Sequence, residues 1–485
     1  MSTQTRSGIH GLSVTTSDPQ STVQSEYYKA LQNQADQAVG SIYGVRITPI
    51  SQAAVGGFNY IWENPSLNFN LGTYGYVNSR VVPIPGVSPG AQLTDPISTD
   101  YDNVLRRIAF KYSTTDQAKI NAAQTAANAQ ATAVVSQYTS SYGPITQQMM
   151  QAVGVTTPID YIIQYVVAQQ WSCTLQQKQP PLSLTQMEQA RDLQALLPCM
   201  PPSGANMLSS ISLYLSNLSS VLPLQQLSMN ANWLLARLLA NTETPTTANG
   251  GMTTVDPNNG STAVHVGYTI NTAVTAIQND LANTGRTLTI NMSTSQTSQS
   301  TMSVNVAGSG AINVPMDWFM SLGGSASAEY NLYSFQGTGQ SASVSMTFAG
   351  YSFVPVQPNQ FQEDTVTGWF DASVIAQAVA SKGQDVTGYY FVADPGYDFS
   401  AGGDFGMLNG VLIANFPTIT INYQDGSYSK FMESFSESSS WDVRVFGIKI
   451  GSFSQSLYKS SVQQSSQSRG FTVTFTPSTE VLTVP

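Results

Sequence analysis

Residues 287–306 read Thr287-Leu-Thr-Ile-Asn-Met-Ser-Thr-Ser-Gln296-Thr-Ser-Gln-Ser-Thr301-Met-Ser-Val-Asn-Val306. Leu288, Ile290, Met292, Met302, Val304 and Val306 all fall on even positions, and every odd position is Ser, Thr, Asn or Gln. Period two is the spacing of a strand, whose successive side chains point to opposite faces. Folded about Thr297, the segment forms a hairpin that sets Leu288 opposite Val306, Ile290 opposite Val304 and Met292 opposite Met302. Such a hairpin is apolar on one face and uncharged-polar on the other.

Residues 328–348 read the same way about Thr338, between Gly337 and Gly339. Ala328 then faces Phe348, Tyr330 faces Met346 and Leu332 faces Val344. Charge is missing throughout: 30 residues separate Arg286 from Asp317, and 33 separate Glu329 from Glu363, with no Asp, Glu, Lys or Arg between. Further alternation follows. Thr418-Ile-Thr-Ile-Asn-Tyr423 runs into Asp425-Gly426, a hairpin-turn pair. Trp441 to Val445 is apolar on odd positions and Phe446 to Ile450 on even ones, so a bulge is expected near Val445. Phe471, Val473 and Phe475 alternate with threonines.

Upstream the period is helical. Tyr27, Tyr28, Leu31 and Ala38 share a helix face within 25–40. A long helical region is expected over 101–138, alanine-dominated from Asp116, and an alanine helix buries little area unless it packs closely on a neighbour. Further helices are expected at about 145–153, 158–171, 184–197, 205–220 and 224–240, then one at 270–284. The fold class is therefore α+β, with a helical N-terminal half followed by a Ser/Thr-rich antiparallel β half. The linear division is a flexible arm 1–24, a mainly helical domain 25–241, a Pro/Asn/Gly-rich linker 242–262 and a β-rich domain 263–485.

Composition narrows the function. The chain has 485 residues, 41% hydrophobic, but only 9% are charged, against about 25% in ordinary domains. A net charge of −10 gives no basic footprint for nucleic acid. The N-terminus has no apolar core of a signal peptide, so the expectation is a soluble chain, released or extracellular by another route and then membrane-associated. Cys173 and Cys199 could form one bridge; without a secretory leader, two reduced thiols are expected.

Enzyme chemistry is poorly supplied. The two histidines are His10 and His265, no Gly-x-Ser-x-Gly elbow occurs, and two His with two scattered Cys do not make a zinc set. No spacing singles out a carboxylate pair for glycoside hydrolysis. Asp394, Asp398 and Asp404 gather among glycines and are weak Ca²⁺ candidates, with a plain polar turn the expected use. The reading is no enzyme and no cofactor.

A strand in a membrane barrel shows lipid one face and water the other. An inserting hairpin also drags its tip through hydrocarbon, where a charge costs roughly 2.5–3.5 kcal/mol. Uncharged strands and tips meet both demands. In this, residues 265–485 resemble β-pore-forming toxins of the aerolysin-like kind, in composition and alternation. The resemblance implies a protein that oligomerises on a target-cell membrane or surface receptor and inserts amphipathic hairpins through Leu288, Ile290, Met292, Met302, Val304, Val306, Tyr330, Leu332, Val344, Met346 and Phe348. The alternatives are a structural, self-assembling fibre or shell protein and a carbohydrate-binding protein, because an ordinary sandwich alternates in the same way. Only Arg286 interrupts the interval from Arg237 to Lys382 as a tryptic site, as a protein working among proteases requires.

Overall fold

The computed structural model describes residues 19–40, 47–49, 69–170, 202–205, 207–298, 301–315, 321–323, 329–331, 341–424, 428–429, 432, 440–445, 448–454, 458–464 and 470–477. The fold is α+β, with helices mostly in the N-terminal half and strands in the C-terminal half. The chain forms two compact units: 1–103 with 240–370 and 396–485, and 104–239 with 371–395. Both are discontinuous, unlike the linear division expected from composition. The 242–262 stretch is not a bare linker: Met252–Val255 is a strand, paired with Phe69–Asn70 and with Thr262–His265. Helix α1 (Pro19–Ala35) begins within the expected arm and belongs to the same unit as the β-rich half.

The first unit is built on a seven-stranded antiparallel sheet. Its strands are β1 (Thr287–Gln296), β2 (Thr301–Val306), β3 (Ile312–Pro315), β6 (Ser341–Ala349), β7 (Thr418–Tyr423), β10 (Tyr458–Gln464) and β11 (Phe471–Pro477), in spatial order β3-β2-β1-β6-β7-β11-β10. A four-stranded sheet holds β4 (Ser321–Gly323), β5 (Glu329–Asn331), β8 (Ser440–Val445) and β9 (Ile448–Ser454), in order β5-β4-β8-β9. The β8–β9 register shifts between Val443 and Arg444, close to the bulge expected near Val445. Asp425-Gly426 lies outside the described residues, and β7 pairs with β6 and β11 rather than with its sequence neighbour β8.

Gly350 ends β6. It sits at φ +79°, and a Cβ there would come 2.0 Å from the Leu281 carbonyl oxygen. Only glycine fits such a left-handed, close-packed corner. The chain then turns into Tyr351–Pro355, which pairs with Gly410–Ala414. Asn415 Nδ2 fastens the corner by donating to the carbonyls of Leu281 and Ala349 at 2.7 and 2.6 Å. Elsewhere in this unit an aromatic knot joins Tyr101, Tyr268, Trp369 and Phe370. Trp369 is 2% exposed and its Nε1 donates to the Gly267 carbonyl at 2.7 Å.

The second unit is mainly helical. The helical region expected over 101–138 is interrupted: Ile97–Leu105 is one helix, Ile108–Lys111 is a strand paired with Gly388–Phe391, and α2 (Thr114–Tyr142) starts afresh. Ser113 accepts from the Asp116 amide as its N-cap, and the Thr114 amide and hydroxyl donate to Asp385. A capped start at Ser113 and the pairing of Ile108–Lys111 with Gly388–Phe391 outweigh helix propensity here. The alanine stretch packs more thinly than expected. Ala127, Val134 and Tyr138 are its buried positions, lying against α3 (Leu208–Ser219), while Ala118, Ala122 and Ala129 are exposed. The helix α4 (Leu222–Glu243) follows. Cys173, Cys199 and the expected 184–197 helix lie outside the described residues.

Candidate functional site: a two-faced sheet

The seven-stranded sheet carries most of the expected site residues. Antiparallel pairing keeps side chains of one face in rows across the strands. One row runs Val306, Met292, Val344, Ile421, Val473, Val462 from β2 to β10. A second runs Ile290, Met346, Ile419, Phe475. Leu288 faces Phe348. These side chains are buried, apart from the partly buried Phe348 and Val462. Polar residues also fall on this face: Gln296, Ser460 and Gln464 stand opposite Met302, Phe475 and Phe471, and Thr294, 2% exposed, donates from Oγ1 to the Ala342 carbonyl at 3.3 Å. Tyr423 and Phe471 stack at 4.5 Å on the same face, where burial holds the Tyr423 hydroxyl far above its usual pKa.

Helix α1 covers part of this face. Val23, Tyr27, Tyr28 and Ala30 join the strand residues in one core cluster. Polar ties join the helix to its surroundings as well: Ser25 Oγ donates to the Gly86 carbonyl at 3.4 Å and accepts from the Ser88 amide at 3.2 Å, Gln32 Nε2 donates to the Ile47 carbonyl at 2.5 Å, and Gln34 accepts from the Thr289 amide at 3.4 Å. Sequence reading placed Tyr27 and Tyr28 on a helix face but had no signal for what that face meets.

The opposite face is polar and uncharged over almost its whole extent. Its rows read Asn305, Ser293, Ser343, Asn422, Thr472, Gln463; Asn291, Ser345, Thr420, Thr474, Ser461; and Asn313, Ser303, Ser295, Ser341. All are exposed or half-exposed. Neighbours bond across strands, as in Thr289 Oγ1 to Thr347 Oγ1 at 3.3 Å and Thr472 Oγ1 to Asn422 Oδ1.

Two expected pairings change. The 288–306 hairpin forms, but Met292 faces Val306, Thr294 faces Val304 and Gln296 faces Met302. The turn centre lies two residues beyond Thr297. Parity is preserved, so every residue keeps its face; alternation fixes the face and leaves even shifts of register open. The Thr301 carbonyl selects the register by accepting from the amides of Thr297 and Ser298 and from Thr297 Oγ1. The 328–348 hairpin does not form. Glu329–Asn331 pairs with Ser321–Gly323 in the smaller sheet, and Ser341–Ala349 pairs with β1 and β7. β6 makes an uninterrupted ladder from Ser341↔Ser295 to Ala349↔Thr287, which a three-residue arm cannot match. Tyr330 is thus on β5 of the other sheet, opposite Leu322, and Leu332 lies outside the described residues.

No protein family, curated protein or solved structure matches the chain.

The three acids named as weak Ca²⁺ candidates take part in local hydrogen bonds. Asp398 Oδ1 accepts from the Ser400 amide at 2.9 Å, and Asp404 Oδ1 accepts from the Asp398 amide at 2.7 Å. The bonds from Ser400 hold the Asp398 carboxyl below its usual pKa. The main-chain oxygen of Asp404 is taken by Arg80, and that of Asp394 by Arg107. Among the described residues no group of three or more His, Cys, Asp or Glu side chains is placed to hold a metal ion. His265 stacks on Tyr74 at 4.7 Å, and its Nε2 is buried with no hydrogen-bond partner among the described residues. Burial lowers its pKa. These surroundings are those of a packed ring rather than of a nucleophile–base pair. No described helix, α4 included, is long and apolar enough to cross a membrane.

Proposed function

We propose that the chain is a β-pore-forming protein whose copies assemble on a target membrane or surface receptor and turn the apolar face of β1, β2 and β6 toward lipid. The observation that carries this reading is the pairing of a continuous apolar face with a hydroxyl- and amide-lined face on the same strands. A soluble sheet gains nothing from excluding Lys and Glu on its water side, whereas a strand that must pass through hydrocarbon does.

Length supports the same reading. β1 and β6 have ten and nine residues, and a spanning strand needs about 9–11. The exposed Thr297-Ser298 tip offers hydroxyls and no charge. In the closed form α1 lies on the apolar face; in the membrane form lipid replaces it. The helical unit would serve recognition or solubility.

Dye leakage from lipid vesicles, with electron microscopy for rings, tests the proposal. Ser298→Lys should leave the soluble fold intact, because an exposed tip tolerates charge; Thr297→Lys loses its side-chain bond but keeps the two amide bonds to the Thr301 carbonyl, and both should reduce leakage several-fold. Leakage undiminished in both variants removes this hairpin as the inserting element, and no leakage from any vesicle composition removes the pore reading. A self-assembling structural protein is the second reading, favoured by the burial of most of the apolar core in the folded chain. Filaments or shells without leakage decide for it, and binding to a sugar array with neither decides for a carbohydrate-binding protein.

A further inference from the structure

The two edges of the seven-stranded sheet differ. β3 is four residues long and ends in Pro315, which has no amide hydrogen to offer a neighbour. β10 is seven residues long and runs in unbroken register with β11, from Tyr458↔Pro477 to Gln464↔Phe471. It contains no proline or glycine and a single charge, Lys459. Among the described strands none lies on its outer side. Edge strands of this length are usually blunted by charges, bulges or prolines, since their free amides and carbonyls recruit another strand. β10 has none of those devices except one lysine.

We propose that β10 pairs with β10 of a second copy of this chain, antiparallel and centred on Ser461. The strand is complementary to itself in that arrangement. Ser461 meets Ser461, Ser460 meets Val462, Lys459 meets Gln463 and Tyr458 meets Gln464. Each pair joins positions of the same parity, so the apolar and polar faces of the two sheets continue into one another. Charge selects the direction: antiparallel pairing keeps the two Lys459 residues apart, whereas parallel in-register pairing stacks them, and directly opposed like charges are destabilising. Ser461, Gln463 and Gln464 are exposed, and Val462 is half-buried at the rim of the core, where a neighbouring strand would finish covering it. A twofold axis through Ser461 makes the contact isologous and closed, giving a dimer and not an open filament. The pairing does not depend on the pore reading, since it concerns the water-soluble sheet.

The test is sedimentation of the full chain from low- to high-micromolar concentration. The expected species has twice the 51.9 kDa of one copy. Ser461→Lys and Ser461→Glu each put like charges directly across the axis, and each should raise the dimer dissociation constant at least about fivefold. An equimolar mixture of the two variants should recover the wild-type constant or a tighter one, which also shows that both variants are folded. A wild-type chain that stays monomeric throughout overturns the proposal. So does a dimer insensitive to both variants, or a mixture no tighter than its components.

Discussion

Neighbouring residues on β7 should differ widely in what they contribute, and Ile421 against Thr420 is the sharpest comparison. Ile421 is fully buried, lying between Val344 of β6 and Val473 of β11. Ile421→Ala removes three carbons, a transfer loss of about 2.4 kcal/mol at about 0.8 kcal/mol each. The surrounding strands hold the backbone, so the site collapses little and a cavity cost adds to that. The total expected is about 3–4 kcal/mol, inside the usual span for such truncations. Thr420 is half-exposed on the other face, between Ser345 and Thr474. Thr420→Ala should cost less than about 1 kcal/mol, the scale of a cross-strand hydroxyl pair. The chain has two compact units, so a single global unfolding energy is the wrong readout. Hydrogen exchange of peptides covering β6, β7 and β11 measures the unit that matters. The difference of about 2–3 kcal/mol corresponds to exchange roughly 30- to 150-fold faster in Ile421→Ala than in Thr420→Ala. Ile421→Val should fall between, at about 0.5–1.5 kcal/mol. If the two alanine variants exchange within about threefold of each other, the sheet is not two-faced as described, and the proposed pore loses its basis.

Two further outcomes follow from the same unit. Burial holds the His265 pKa below its usual 6.5, so the folded state binds this proton less readily than the unfolded chain. Stability is then complete above about pH 6.5 and falls as pH drops from there toward the folded pKa; melting temperatures at neutral pH and near pH 5 should diverge more in the wild type than in His265→Phe, and equal divergence refutes the assignment. Trp369→Phe removes one of the two hydrogen bonds to the Gly267 carbonyl, which keeps the bond from the Asn359 amide, at about 0.5–1.5 kcal/mol for the lost bond, and should lower the thermal midpoint of the first unit; an unchanged midpoint would show that the indole bond adds nothing to stability.

Strand faces were legible from sequence because parity is a local property. Alternation in 288–306, 418–423 and 471–475 assigns each residue to a face without knowledge of any partner, and Leu288, Ile290, Met292, Met302, Val304, Val306, Val344 and Met346 are all buried on one face. The α+β class was legible for the same reason, since helical and strand periods are read within a few turns. Partner choice was not. The mirrored pattern about Thr338 fits a hairpin as well as it fits two unrelated strands, and only the long ladder between β6 and β1 decides that Ser341–Ala349 leaves Glu329–Asn331 behind. Register in 288–306 slipped by an even step, which alternation cannot detect and the hydrogen bonds of Thr297 and Thr301 fix. The discontinuous units, the seating of α1 on the apolar face and the pairing of the sheet's strands likewise rest on contacts between residues far apart in the chain. Local periodicity sets which side of a strand avoids water; the competition among all strands for backbone partners and buried area sets which strands meet, and that competition is settled only in the folded chain.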